Sequence, residues 1–161
     1  MIPTSVDGPF VISQGDLATQ HAEAVLDSAV IARADVSVID LRGPRAVECA
    51  QGITTNDVAG AGDGSFIYGA ILTPKGMIIS DLWSVRDNDT VSLIIPAPAT
   101  ESVSSVLRKS IPPRLARIND LSDETVVFRL VGPRALEVAS SAGFHIPDSG
   151  HTVWCVVDSS K

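Results

Sequence analysis

A single carboxylate breaks an apolar run in the middle of this chain. Asp81 interrupts "GMIISDLWSV", which follows the tight-turn residues Pro74, Lys75 and Gly76. An acid in apolar surroundings is costly unless it is paired, solvated at an edge, or used. Two-residue alternation puts Met77, Ile79, Asp81 and Trp83 on one face of a strand and Ile78, Ser80, Leu82 and Ser84 on the other. A carboxylate beside an indole suits a flat, nitrogen-rich heterocycle: the acid accepts from ring N–H groups while the aromatic covers the ring face. The competing reading, with Trp83 in the core and Asp81 facing water at a sheet edge, needs no ligand. Upstream, "QGITTNDVAGAGDG" sets Gln51, Thr54, Thr55, Asn56 and Asp57 in a loop rich in hydrogen-bonding side chains. The same residue types favour turns for local reasons, so the loop either walls a site or only turns the chain.

Around these residues the pattern predicts the elements that hold them. "SFIYGAILT", "GMIISDLWSV" and "TVSLIIPA" are rich in β-branched and aromatic residues and are separated by turn formers, which predicts three consecutive antiparallel strands. "GDLATQHAEAVLDSA" has helical periodicity, and "ADVSVIDLRG" reads as a strand ending at a glycine-proline break. Pro44 suits the first position of a helix, so "PRAVECAQ" is expected to be a short helix closed by Gly52. "PAPATESVSSVLRKSI" predicts an amphipathic helix stopped by Pro112 and Pro113. "RLARIND" and "TVVFRLVG" read as strands, and "PRALEVASSAG" as a helix capped by Gly143.

The phrase "GPRAVE" at Gly43 to Glu48 returns as "GPRALE" at Gly132 to Glu137. Both copies follow an apolar strand, turn at Gly-Pro and enter a helix of small residues, so they read as equivalent joints in a duplicated scaffold. An anion site at Arg45 and Arg134 is the alternative. The fold class expected is α+β, with mixed, largely antiparallel sheets, helices on one side and internal duplication.

Composition narrows the partners. The 161 residues suit a single domain over the whole chain, with a leading segment and helix to about residue 24, a core over 25–150 and a following segment from 151. A net charge of -7 argues against nucleic acid. No apolar run approaches the roughly 18 residues of a membrane span, and "MIPTSVDGPF" does not read as a secretory signal, so the cytoplasm is the expected location. Cys49, Cys155 and the three histidines form no metal motif, so no metal is expected, and Cys49 reads as a small core residue.

"QGITTNDV" followed in order by "GAILTPKGMIISDL" resembles the N-terminal part of the folate-binding aminomethyltransferase superfamily, which includes the glycine cleavage system T-protein and the YgfZ-type proteins of iron-sulfur cluster assembly. The resemblance covers roughly residues 25 to 145, and the "TPKG" turn is closer to the YgfZ side. It implies a tetrahydrofolate site with Asp81 as the catalytic carboxylate near the reactive nitrogens, orienting the folate and its one-carbon unit or assisting proton transfer. It also implies that Tyr68, Trp83, Asn56, Thr55 and Lys75 bind the cofactor. Two activities follow, one-carbon transfer from an aminomethyl donor or a folate-dependent role in iron-sulfur assembly; a non-catalytic interaction module that keeps only the fold is the alternative. In the T-protein pattern the residue before the acid is a second Asp, where this chain has Ser80, and the KGCYxGQE-like motif of YgfZ-type proteins has no counterpart here. Family members are about twice this length or more, so the expected partners are a missing C-terminal half, a second chain that supplies it, or a second copy through the apolar surface it leaves.

Overall fold

The computed structural model describes residue 26 and residues 29–143. They divide into two compact units, one formed by Asp35–Val127 and the other by the residues that flank it on both sides. The helix expected over residues 15–29 lies outside the described residues, apart from Leu26, which is exposed and helical, and Ala29, which is not helical.

The Asp35–Val127 unit is a five-stranded antiparallel sheet with two helices. Its strands are β2 (Val36–Arg42), β3 (Phe66–Leu72), β4 (Ile78–Asp87), β5 (Thr90–Pro96) and β6 (Arg117–Asp120), in the order β3-β4-β5-β2-β6. The three central runs form the consecutive antiparallel strands that their β-branched content predicts. Helix α1 (Ala46–Ile53) and helix α2 (Thr100–Ser110) supply Ala46, Ala50, Val103 and Leu107 to a core with Ile39, Leu41, Ile71, Leu82, Leu93 and Ile95. Each of those strand residues sits on the same side of its strand, so one face of the sheet is sealed by helices. The alternation then puts Phe66, Tyr68, Asp81, Trp83, Ile94 and Val38 on the opposite face, in cross-strand rows set by Tyr68↔Trp83, Trp83↔Ile94 and Val38↔Ile94.

One charge is buried in this sheet. The Asp40 carboxylate accepts from Arg42 Nε at 3.0 Å and Nη2 at 2.7 Å, and from Ser92 Oγ at 2.6 Å. A buried carboxylate is tolerable when its lone pairs are used in this way.

The flanking unit pairs β1 (Val30–Arg33) with β7 (Phe128–Val131) in antiparallel register and adds α3 (Ala135–Ser141). The sequence reading missed β1. Four residues carry too little periodicity to declare a strand, and the pairing that forms it comes from the far end of the chain. No described helix is long and apolar enough to cross a membrane.

The repeated phrase builds the same joint twice. Gly43 and Gly132 take φ of 144° and 136°, within the range that L side chains rarely adopt. Ala46 N–H donates to Gly43 O and Ala135 N–H to Gly132 O, each at 3.1 Å. Arg45 pairs with Glu48, and Arg134 with Glu137, across the first turn of the helix. Each arginine is thus engaged by its own helix.

One boundary needs correcting. Helix α1 begins at Ala46, so Pro44 lies in the turn before it, and Gly52 lies inside the helix rather than closing it. The stop comes from Thr54, whose N–H and Oγ both donate to Ala50 O while its backbone turns extended. Gly143 does close α3, at φ 85°, with its N–H donating to Ser140 O.

Candidate functional site

Strand β4 is the second strand of its sheet, and Asp81 is exposed on the face away from the helices. Its cross-strand neighbour is Ala70, small enough to leave the carboxylate open, and the diagonal neighbour Tyr68 reaches over to it. Tyr68 Oη donates to Asp81 Oδ2 at 3.0 Å. Asp81 Oδ1 has no hydrogen-bond partner among the described residues and is left to accept from elsewhere. The Tyr68 hydroxyl is pushed above its ordinary value, first by this hydrogen bond and then by the carboxylate's negative charge. The phenol therefore stays protonated as the donor of the pair.

Trp83 is half-buried directly opposite Tyr68, with ring centroids 5.0 Å apart and planes tilted by 56°. Its other neighbour is Phe66, stacked at 4.3 Å with planes 9° apart. Phe66 was not singled out from the sequence, although its position two residues before Tyr68 on the same strand put it on that face. The three rings make an apolar shelf beside the carboxylate, with Tyr68 bridging the two. An open groove of about 600 Å³ runs beside it, lined by Tyr68, Asp81, Ile79, Pro96, Pro98 and Ser102. Pro96 ends β5, Pro98 lies in the 3-10 turn Ala97–Ala99 that follows it and Ser102 lies in the first turn of α2, and no local sequence signal tied them to Asp81.

The loop residues hydrogen-bond to the edge of β3. Thr55 Oγ accepts from Ala70 N–H at 2.9 Å, Thr55 N–H donates to Ala70 O at 2.9 Å, and Asn56 Nδ2 donates to Tyr68 O at 2.8 Å. Thr54 and Ile71 add an isolated antiparallel bridge. The loop thereby caps the outer edge of β3 like a short extra strand and fixes the backbone that carries Tyr68. The loop lies close over Gly69, where a Cβ would sit in ordinary contact, 3.4 Å from Asn56 Cβ and 3.5 Å from Thr55 Oγ. Lys75 sits exposed at the tip of the β3–β4 turn and does not line the groove. That turn is closed by Thr73, whose N–H donates to Met77 O at 2.8 Å, with Gly76 at φ 81°. Ser80 is buried on the helix side of β4, where its Oγ donates to Asp81 O at 2.7 Å, so its side chain belongs to the opposite face from the Asp81 carboxylate.

The site is thus an exposed carboxylate bridged by a phenol to a set of packed aromatic rings, on the open face of an antiparallel sheet in an α+β domain. The profile of the family described as GCVT N-terminal domain matches residues 13–146, and the chain belongs to that family. An aminomethyltransferase of Pelodictyon phaeoclathratiforme is 32% identical over 121 residues, which are 73% of this chain and 33% of that protein. One from Chlorobium chlorochromatii is 33% identical over 100 residues, covering 61% and 27% of the two chains. The crystal structure of glycine cleavage system aminomethyltransferase T from Bartonella henselae matches the fold with a TM-score of 0.73 at 23% identity, over 81% of this chain and 36% of that one. The chain thus spans about a third of the length of these relatives.

Proposed function

We propose that this chain is a tetrahydrofolate-binding, aminomethyltransferase-like domain, and that the groove beside Asp81 holds the reduced pterin end of the folate. The observation that carries this is the Tyr68–Asp81 pair on the aromatic shelf. Asp81 Oδ1 offers an unused acceptor for a ring or bridging N–H, and the Tyr68 ring, packed against Trp83, lines the groove beside it. Bound tetrahydrofolate supplies nitrogen atoms that carry a one-carbon unit. Asp81 orients it and stabilises positive charge developing on those nitrogens, while Tyr68 fixes the carboxylate's direction. Thr55 and Asn56 act on the cofactor indirectly, by holding β3, and Lys75 is placed to meet only a ligand part reaching beyond the groove. One-carbon transfer and a folate-dependent role in iron-sulfur assembly share this binding step. The groove is open on one side, so the domain binds weakly alone and more tightly when the rest of a longer protein closes over it.

Calorimetric titration of the chain with tetrahydrofolate, kept under nitrogen, tests the reading against Asp81→Asn. Saturable binding should weaken by roughly 10- to 100-fold in the variant, the range expected for losing a charged hydrogen-bond acceptor. Equal affinity in both proteins, or no saturation at millimolar ligand, would overturn it.

A further inference from the structure

The acidic chain concentrates its cations in one place. Of its 12 lysines and arginines, Arg108, Lys109, Arg114 and Arg117 fall within ten residues, and no Asp or Glu lies between Glu101 and Asp120. This segment runs from the last turn of α2 into β6, the outermost strand of the five-stranded sheet. A groove of about 410 Å³ lies there, lined by Arg108, Ile111, Pro113, Arg117, Ile118 and Asn119. Neither Arg108 nor Arg117 makes an ion pair among the described residues. Arg117 is moreover the cross-strand partner of Arg42, and like charges directly opposite repel. Arg42 is taken up by Asp40, whereas Arg117 remains without a counter-charge.

Among the described residues no strand pairs with the outer side of β6. Leu121 N–H donates to Val38 O at 2.8 Å, which sets the phase of the ladder. Arg117 and Asn119 turn their backbone groups toward β2, while Ile118 and Asp120 turn theirs outward, where no backbone partner lies among the described residues. The two arginines flank this edge from opposite sides. Ile118 packs toward the helices with Arg108 near it, and Arg117 shares the face of Asn119, away from the helices. The Asp120 carboxylate is held by Ser122 N–H at 3.0 Å and by Ser122 Oγ at 2.5 Å, and the positive charge of Arg108 adds to keeping it below its ordinary value without forming a direct ion pair.

We propose that β6 is a docking edge for an extended acidic polypeptide segment, which adds as a sixth strand and presents successive carboxylates to Arg108 on one face and Arg117 on the other. Adjacent residues of a strand project to opposite faces, so a consecutive pair of acids satisfies both arginines at once. Main-chain bonds to Ile118 and Asp120 give the register, and the charges give selectivity and speed of encounter. The proposal is independent of the reading of the Asp81 groove.

The test uses an isotope-labelled full chain titrated with an octapeptide that carries a central run of three glutamates between valine and threonine flanks. Saturable shifts should centre on the Ile118 and Asp120 amides. Charge reversal by Arg108→Glu or Arg117→Glu should each lower affinity about tenfold, with the thermal midpoint showing that the variants are folded. A copy of the peptide N-methylated at alternate residues keeps every carboxylate and loses the strand edge, so its binding should vanish. Equal binding of the methylated peptide, tighter binding of an oligonucleotide of the same charge, or shifts centred elsewhere would each overturn the proposal. So would concentration-dependent self-association that occupies the same amides in the absence of peptide.

Discussion

Tyr68 is the only tyrosine in the chain, which makes its hydrogen bond to Asp81 directly measurable. The bond and the adjacent negative charge both favour the protonated phenol, so its folded value is raised above the ordinary value of about 10. The sign follows from that direction: any stability from the pair is fully present below about pH 10 and is lost as pH rises through the raised folded value. Ultraviolet titration of tyrosinate should therefore give one transition, shifted upward in the native chain. Asp81→Asn keeps an acceptor but removes the charge, and should bring the midpoint back toward the ordinary value. An unchanged midpoint in that variant would show that the two groups do not meet in solution. Asp81 could be picked out in the sequence because an acid breaks an apolar alternation, and the same alternation put Trp83 on its face. Tyr68 is a diagonal neighbour on another strand, so its contact depended on the β3–β4 register. That register includes a shift between Ile71 and Leu72 which alternation alone does not reveal.

At the scale of elements, strands joined by tight turns could be read from sequence because each of β3, β4 and β5 carries its own β-branched run and its own turn signal. Contacts made by elements distant in sequence could not. Strand β1 exists through β7, and the groove at Asp81 is completed by the Pro96–Ser102 region. The Thr55–Asn56 loop is the clearest case. Its residue types announced hydrogen bonding but not the acceptor, and the acceptor is the edge of β3 rather than open space. The loop leaves room at Gly69 for a Cβ in ordinary contact and little beyond it, so replacing Gly69 with the branched valine tests the tether. The added branches would push Thr55 and Asn56 away, leaving the N–H of Ala70 and the O of Tyr68 without their loop partners. A loss of about 1–3 kcal/mol in urea denaturation is expected, with faster amide exchange at Ala70. A stable Gly69→Val protein with unchanged Ala70 exchange would mean that the loop does not depend on that contact.

For the whole molecule, the division of labour between the two units follows from where burial lies. The cluster of Ile39, Leu41, Ile71, Leu82, Leu93, Ile95, Val103 and Leu107 falls wholly within Asp35–Val127. Among the described residues of the flanking unit only Val138 is a buried hydrophobic, while Ile31, Phe128, Val131 and Leu136 are exposed. Arg33 and Phe128 are paired at the close of β1 and the start of β7, so the central unit is inserted between two strands whose ends meet. An insertion with its own sealed sheet and a closed entry point has what independent folding requires. Residues 35–127 expressed alone should therefore unfold in a single urea transition, with a slope in the range of about 1–3 kcal/mol/M. Within the full chain, Leu93→Ala should cost about 2–5 kcal/mol because Leu93 is completely buried in the core cluster. Leu136→Ala, at a side chain 50% exposed, should stay within about 0.5 kcal/mol. If the excised segment instead melts without cooperativity while Leu93→Ala remains severe in the full chain, the core needs the flanking strands to hold it.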